Sequence, residues 1–132
     1  MGATRNVMLN ELPIRGISYN PIAASGGTGA ITLVASDSGV IFVNKYVTGA
    51  TTYTLPAVDS CEGKWFWFYN AQTSYGIVVT CTTADAGLMI GGGQETYDKM
   101  TSAATVGECG IVFSDGDYFY FYSVYGTWTA GT

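Results

Sequence analysis

Two stretches constrain what this chain can fold into more than any others: KWFWFYN at 64–70 and DYFYFYSVY at 117–125. Successive side chains of a β-strand point to opposite faces of the sheet. In the first stretch Trp65, Trp67 and Tyr69 therefore share one face, and Phe66 and Phe68 share the other. A half-exposed strand alternates apolar with polar residues, whereas both of these are apolar on both sides. A two-layer sandwich shelters only the inner face of each sheet. One set of rings must therefore point outward. Each large aromatic buries roughly 150–250 Å² when covered, worth roughly 4–6 kcal/mol as an upper bound at about 25 cal/mol per Å². Monomers rarely expose apolar patches beyond a few hundred Å². The candidate covers are further copies of the chain, its own N-terminal segment, or a carbohydrate laid on an aromatic platform. Further copies are the expected cover, with the N-terminal segment contributing.

The rest of the sequence predicts an all-β domain. Glycine, tyrosine, threonine and valine are frequent among the 132 residues, and no apolar stripe of 3.6-residue period is sustained. Strands are expected at 31–35, 40–44, 51–56, 64–71, 76–83, 87–92, 95–100, 109–114 and 117–125. Their even spacing predicts a single antiparallel β-sandwich or barrel-like domain of about eight short strands over 31–132. Asp-Gly within SDGD at 114–117 predicts a hairpin turn. No internal repeat of fixed period is found.

Residues 1–30 differ. They hold Pro13, Pro21 and the glycine-rich SGGTG at 25–29, with many apolar side chains between. This composition predicts an extended N-terminal arm that lies on something rather than a solvated tail. Residues 1–15 carry +1 from Arg5, Arg15 and Glu11, against −5 for the whole chain.

Charge and residue content exclude several functions. A net charge of −5 argues against nucleic acid, whose phosphates call for clustered Lys and Arg, and against anionic membranes. There is no secretory leader pattern or transmembrane span, and Asn6 stands where a myristoylation signal needs Ser or Thr. The chain is read as made in a cytoplasm. The absence of histidine removes the usual general base and most metal sites. Cys61, Cys81 and Cys109 are too widely spaced for a zinc site and are expected to be buried free thiols. Asp115 and Asp117 flank Gly116 and read as turn residues, and IGGGQ at 90–94 lacks the Lys-Ser/Thr of a phosphate loop. No catalytic residue, metal ligand or cofactor site is expected, and the chain is read as a non-enzyme.

The order of pieces carries a resemblance. LVASDSGVIFVN, TTYTLPAVDSCEGKWFWFYNA, GIVVTCTTADAGLMIGG and VFSDGDYFYFY follow one another over about residues 32–122. This succession resembles the β-domains of tailed-phage head decoration (cement) proteins and of some tail-fibre or tailspike segments. The resemblance implies a homotrimer on the outer capsid surface of the virion, with the N-terminal arm engaging the major capsid protein. On that reading the capsid-binding arm comprises Arg5, Val7, Leu9, Leu12, Ile14, Arg15 and Ile17, and the trimer-interface candidates are Trp65, Trp67, Tyr69, Tyr118, Tyr120 and Tyr122. The alternative is a fibre-tip or glycan-binding module that uses exposed aromatics. Neither WFWFY nor YFYFY interleaves Asp, Asn or Gln to hydrogen-bond sugar hydroxyls, so the glycan is the lesser alternative.

Overall fold

The structure, a computed structural model, describes residues 14–91 and 94–132. The described residues are all-β, with twelve strands in two packed sheets and short 3-10 turns at several corners. The strands are β1 (Gly16–Asn20), β2 (Ala30–Thr32), β3 (Val40–Asn44), β4 (Thr51–Thr54), β5 (Trp65–Asn70) and β6 (Ile77–Thr80). They continue with β7 (Met89–Gly91), β8 (Gln94–Tyr97), β9 (Lys99–Ser102), β10 (Cys109–Ser114), β11 (Phe119–Tyr125) and β12 (Trp128–Gly131). A seven-stranded sheet has the order β1-β3-β5-β10-β11-β7-β8, and a five-stranded sheet the order β12-β9-β6-β4-β2.

Through β6 the chain alternates between the two sheets at every strand. Neighbours within each sheet are then parallel: β1, β3 and β5 in one, and β2, β4 and β6 in the other. Residues 16–80 thus wind as three coils of a flattened solenoid. A parallel pair needs a long crossover, and here each crossover is a strand of the opposite sheet rather than a helix. The sandwich is therefore mixed rather than purely antiparallel. The expected antiparallel pairing does hold for β10 with β5 and β11, and the predicted SDGD hairpin joins β10 to β11. Gly116 sits there with φ +94°, a region that suits glycine.

Two further differences are local. The strand expected at 95–100 is divided between β8 in one sheet and β9 in the other. Asp98 pins the corner: its carbonyl accepts from the Cys81 N–H, its N–H donates to the Gly131 carbonyl, and its carboxylate accepts from the Gly87 N–H at 2.6 Å. The segment read as an arm up to residue 30 contains β1, which pairs in register with β3 from Gly16↔Val40 to Asn20↔Asn44. Gly16–Asn20 thus form the edge strand of the seven-stranded sheet and Ala30 already begins β2 of the other sheet, while residues 1–13 lie outside the described residues.

The core between the sheets is aromatic and aliphatic. Phe42, Tyr53, Phe66, Phe68, Phe119 and Phe121 meet Leu33, Leu55, Ile77, Val79, Met89 and Met100 there. Tyr53 packs against Phe68 and Phe42 with ring centroids 5.1 and 5.7 Å away. Burial of this kind supplies most of the stabilisation of a domain this size. All three cysteines are buried free thiols, and burial pushes the Cys81 thiol up to about 12.

One end of the core is polar. Asn20, Asn44 and Asn70 are each buried and stack across β1, β3 and β5 in one register row. The Asn20 amide donates to Asn44 Oδ1 at 3.3 Å, and the Asn44 amide donates to Asn70 Oδ1 at 3.2 Å. Thr51 Oγ donates to Asn44 Oδ1 at 2.8 Å, and the Tyr46 N–H does so at 3.1 Å. The Asn70 amide reaches the Gln72, Tyr75 and Thr105 carbonyls. Buried amides need such partners. The ladder is the inward signature of the coil repeat. Its members stand 24 and 26 residues apart, because the loops between coils differ in length, so no fixed period shows in the sequence.

Candidate functional site: the outer face of the seven-stranded sheet

The register determines which rings point inward. Phe66 and Phe68 enter the core, fully buried, so Trp65, Trp67 and Tyr69 point outward. On β11 Phe119 and Phe121 enter the core, which leaves Tyr120 and Tyr122 outside. Strand pairing sets these side chains in rows. One row is Ile17, Ile41, Trp67, Ile111 and Tyr122. A second is Tyr19, Val43, Tyr69, Cys109 and Tyr125, in which the Cys109 sulfur takes the Trp67 indole N–H. A third is Trp65, Phe113, Tyr120 and Ile90. Trp65 and Trp67 meet edge-on at 6.4 Å, and Phe113 stacks on Tyr120 at 5.4 Å. These are favourable aromatic geometries, so the face is pre-ordered. Tyr122 and Tyr125 are nevertheless 62% and 63% exposed, Tyr19 57%, Ile17 54% and Phe113 48%.

The outer face of the five-stranded sheet is different in kind. Its rows are Ala30, Thr52, Val78, Thr101, Thr129 and Thr32, Thr54, Thr80, Lys99, Gly131. Six threonines and a lysine on a pleated surface suit water. The same alternation therefore produces one wet face and one aromatic face on a single sandwich.

All six interface candidates read from the sequence lie on the aromatic side. Trp65, Trp67, Tyr69, Tyr120 and Tyr122 are in the rows, and Tyr118 flanks a shallow groove with Tyr120, Ile90 and Thr96. Of the arm candidates, Arg5, Val7, Leu9 and Leu12 lie outside the described residues. Ile14 is exposed, and Ile17 belongs to the first row. Arg15 donates to the Ser36 and Ser38 carbonyls at 2.8 and 3.3 Å, tied to its own domain. The sequence reading did not single out Ile17, Tyr19, Phe113 and Tyr125 as parts of this face. The signal for the last two was present, since both sit on alternating positions of strands already predicted.

Charge on the face is sparse and segregated. Lys45 Nζ lies 5.0 Å from the Tyr19 ring centroid beside β1. Asp115 stands at the β10–β11 turn, where its Oδ1 accepts from the Asp117 and Tyr118 N–H groups and its Oδ2 from the Tyr120 hydroxyl at 2.6 Å. That hydroxyl, and then the two N–H groups, hold the Asp115 carboxyl below the ordinary carboxylate range, and the same bond pushes the Tyr120 phenol up. These are turn-forming bonds. Among the described residues no three His, Cys, Asp or Glu side chains gather to hold a metal ion, and no helix is long and apolar enough to cross a membrane. What the face offers chemically is uncharged, ordered ring area.

No protein-family model matches the chain, and no curated protein matches it.

Proposed function

We propose that the chain is a structural subunit of a tailed-phage particle: a capsid decoration protein, made in the host cytoplasm, that trimerises on the outer head surface and bridges neighbouring major capsid proteins. The observation that carries this reading is the contrast between the two outer faces, one threonine-covered and one built from Trp65, Trp67, Tyr69, Phe113, Tyr120 and Tyr122. Rings left half in water lower their free energy by finding a cover, and a symmetric oligomer supplies one from identical copies. Three copies then present three N-terminal segments to the shell, and modest contacts gain avidity across the lattice. The function requires burial rather than catalysis, which suits a chain without histidine.

Co-sedimentation with assembled capsid shells tests the attachment step. The full chain is expected to pellet with shells. A chain lacking residues 1–13, which leaves β1 in place, is expected to stay in the supernatant with its oligomeric state unchanged. Full occupancy of shells by the shortened chain would overturn the role of the arm.

A second reading has one specific observation behind it. Tyr118, Tyr120, Ile90 and Thr96 line a groove beside the Asp115–Tyr120 bond, where a sugar ring could stack and hydrogen-bond. This fibre-tip or glycan-binding reading expects Tyr118→Ala to weaken glycan binding with assembly intact.

A further inference from the structure

A small cavity opens at the polar end of the sandwich, among the three loops that follow Asn20, Asn44 and Asn70, residues 21–29, 45–50 and 71–76. Each coil contributes to its wall: Ile22 from the first loop, Lys45 and Val47 from the second, and Ala71, Gln72 and Thr73 from the third. The loops are tied at their bases in the coil register. The Lys45 N–H donates to the Asn20 carbonyl at 2.8 Å, and the Ala71 N–H to the Asn44 carbonyl at 2.9 Å. The cavity holds about 250 Å³, below the usual range of about 300–1,000 Å³ for drug-sized ligands, so its occupant is small.

The polar lining is one-sided. Gln72 is only 5% exposed. Its Oε1 accepts from the Ser74 and Tyr75 N–H groups, and its carbonyl accepts from the Asn70 amide. Its Nε2 has no acceptor among the described residues, although Gln72 lines the cavity. Buried amide donors are ordinarily paired, so this one is left for an occupant. Lys45 is the one charged residue of the three loops, which hold no Asp or Glu. Glu108, linked to this end through the Asn70 N–H, spends both carboxylate oxygens on the Ala103 and Thr105 N–H groups. An ammonium and an amide nitrogen can only donate, so the occupant must accept. One cation with one amide suits a singly charged pair of oxygens better than the three oxygens and higher charge of a phosphate. Ile22, Val47 and Ala71 supply an aliphatic wall for whatever carries them.

We infer that this cavity binds a carboxylate carried on a small aliphatic body, with Lys45 and the Gln72 amide donating to its oxygens. A free short-chain acid and the carboxy-terminal residue of a polypeptide share that chemistry.

Heteronuclear NMR of the full chain tests it, read at the Gln72 side-chain amide and the Ala71 and Thr73 N–H groups. Isobutyrate is expected to shift them with saturation at a Kd of about 1 mM. Isobutyramide, which has the shape without the charge, and inorganic phosphate are expected to bind at least about tenfold more weakly. Lys45→Met keeps the stem and is expected to weaken isobutyrate about tenfold. Gln72→Glu keeps an oxygen for the Ser74 and Tyr75 N–H groups but replaces the donor with an acceptor, and is expected to abolish saturation. Thermal unfolding controls for folding, and Lys45→Met decides the matter should Gln72→Glu unfold. N-acetylvaline stands in for a polypeptide end: tighter binding than isobutyrate assigns a chain terminus, and equal or weaker binding a free acid. No saturation by either acid up to about 50 mM, an equal response to isobutyramide or phosphate, or a Lys45→Met protein within about twofold of the parent would overturn the site.

Discussion

Tyr122→Lys is expected to weaken self-association at least about a hundredfold while leaving the unfolding free energy within about 0.5 kcal/mol of the parent. Tyr122 makes the case because it is 62% exposed and sits at the end of the row that runs through Trp67 and Ile111. Its own domain gains little from it, so its loss costs the monomer little. In the proposed assembly the same ring is covered, and a lysine there would bury an unpaired charge. Trp67 is a less clean probe, because its indole N–H is given to Cys109 within the same chain. Thr54→Lys, on the outer face of the five-stranded sheet, is the control and is expected to change neither quantity. Equilibrium sedimentation with urea unfolding of the three proteins reads the result. Undiminished association of the Tyr122 variant would remove the aromatic face from the interface.

Asn44→Leu is expected to cost about 3–5 kcal/mol of folding stability. Asn44 is the middle rung of the ladder, fully buried, and its side chain serves Asn20, Asn70, Thr51 and Tyr46. Leucine is nearly isosteric, so the substitution leaves little cavity. What it leaves unpaired in this buried site is the Thr51 hydroxyl hydrogen, the Tyr46 N–H and Asn70 Oδ1, while the Asn20 amide keeps Thr51 Oγ and the Thr28 carbonyl as acceptors. Each unsatisfied buried group costs about 1–3 kcal/mol. Thr52→Ala, one residue along from Thr51 but on the outer face, is expected to cost under about 0.5 kcal/mol. Urea unfolding midpoints compare the two, and a cost below about 1 kcal/mol for Asn44→Leu would show that the ladder does not hold the coils in register.

These two residues mark what the sequence could and could not reveal. The strands at 40–44 and 109–114 are legible to the residue, because apolar runs there end at turn residues. The two-faced character of 65–70 was legible from alternation alone, and so was the expectation that one set of rings is uncovered. Which set was not legible, because Trp-x-Trp and Phe-x-Phe are equally apolar. The register decides it, setting Phe68 beside Phe42 within the sheet and against Tyr53 of the other sheet, with Phe66 buried on the same face.

Parallel winding was hidden for a related reason. A strand buried on one face reads the same whether its neighbour runs with it or against it. The coil repeat was hidden because Asn20, Asn44 and Asn70 follow aromatic or β-branched residues, where asparagine reads as an ordinary strand end. The edge strand β1 was hidden between Pro13 and Pro21. Proline marks the limits of pairing, and here five residues between two prolines are enough for a strand. At the other end, β12 is four residues long and ends on a glycine, Gly131; Trp128, packed on Phe121 at 4.9 Å, ties it to the sandwich.

The central claim is that the outer face of the seven-stranded sheet is covered by other copies of the same chain. Sedimentation velocity of the unmodified protein over a wide range of concentration tests it most directly. The account predicts a discrete species of three chain masses that persists on dilution into the micromolar range. A single species of one chain mass at every concentration, with its tryptophan fluorescence unchanged, would contradict it.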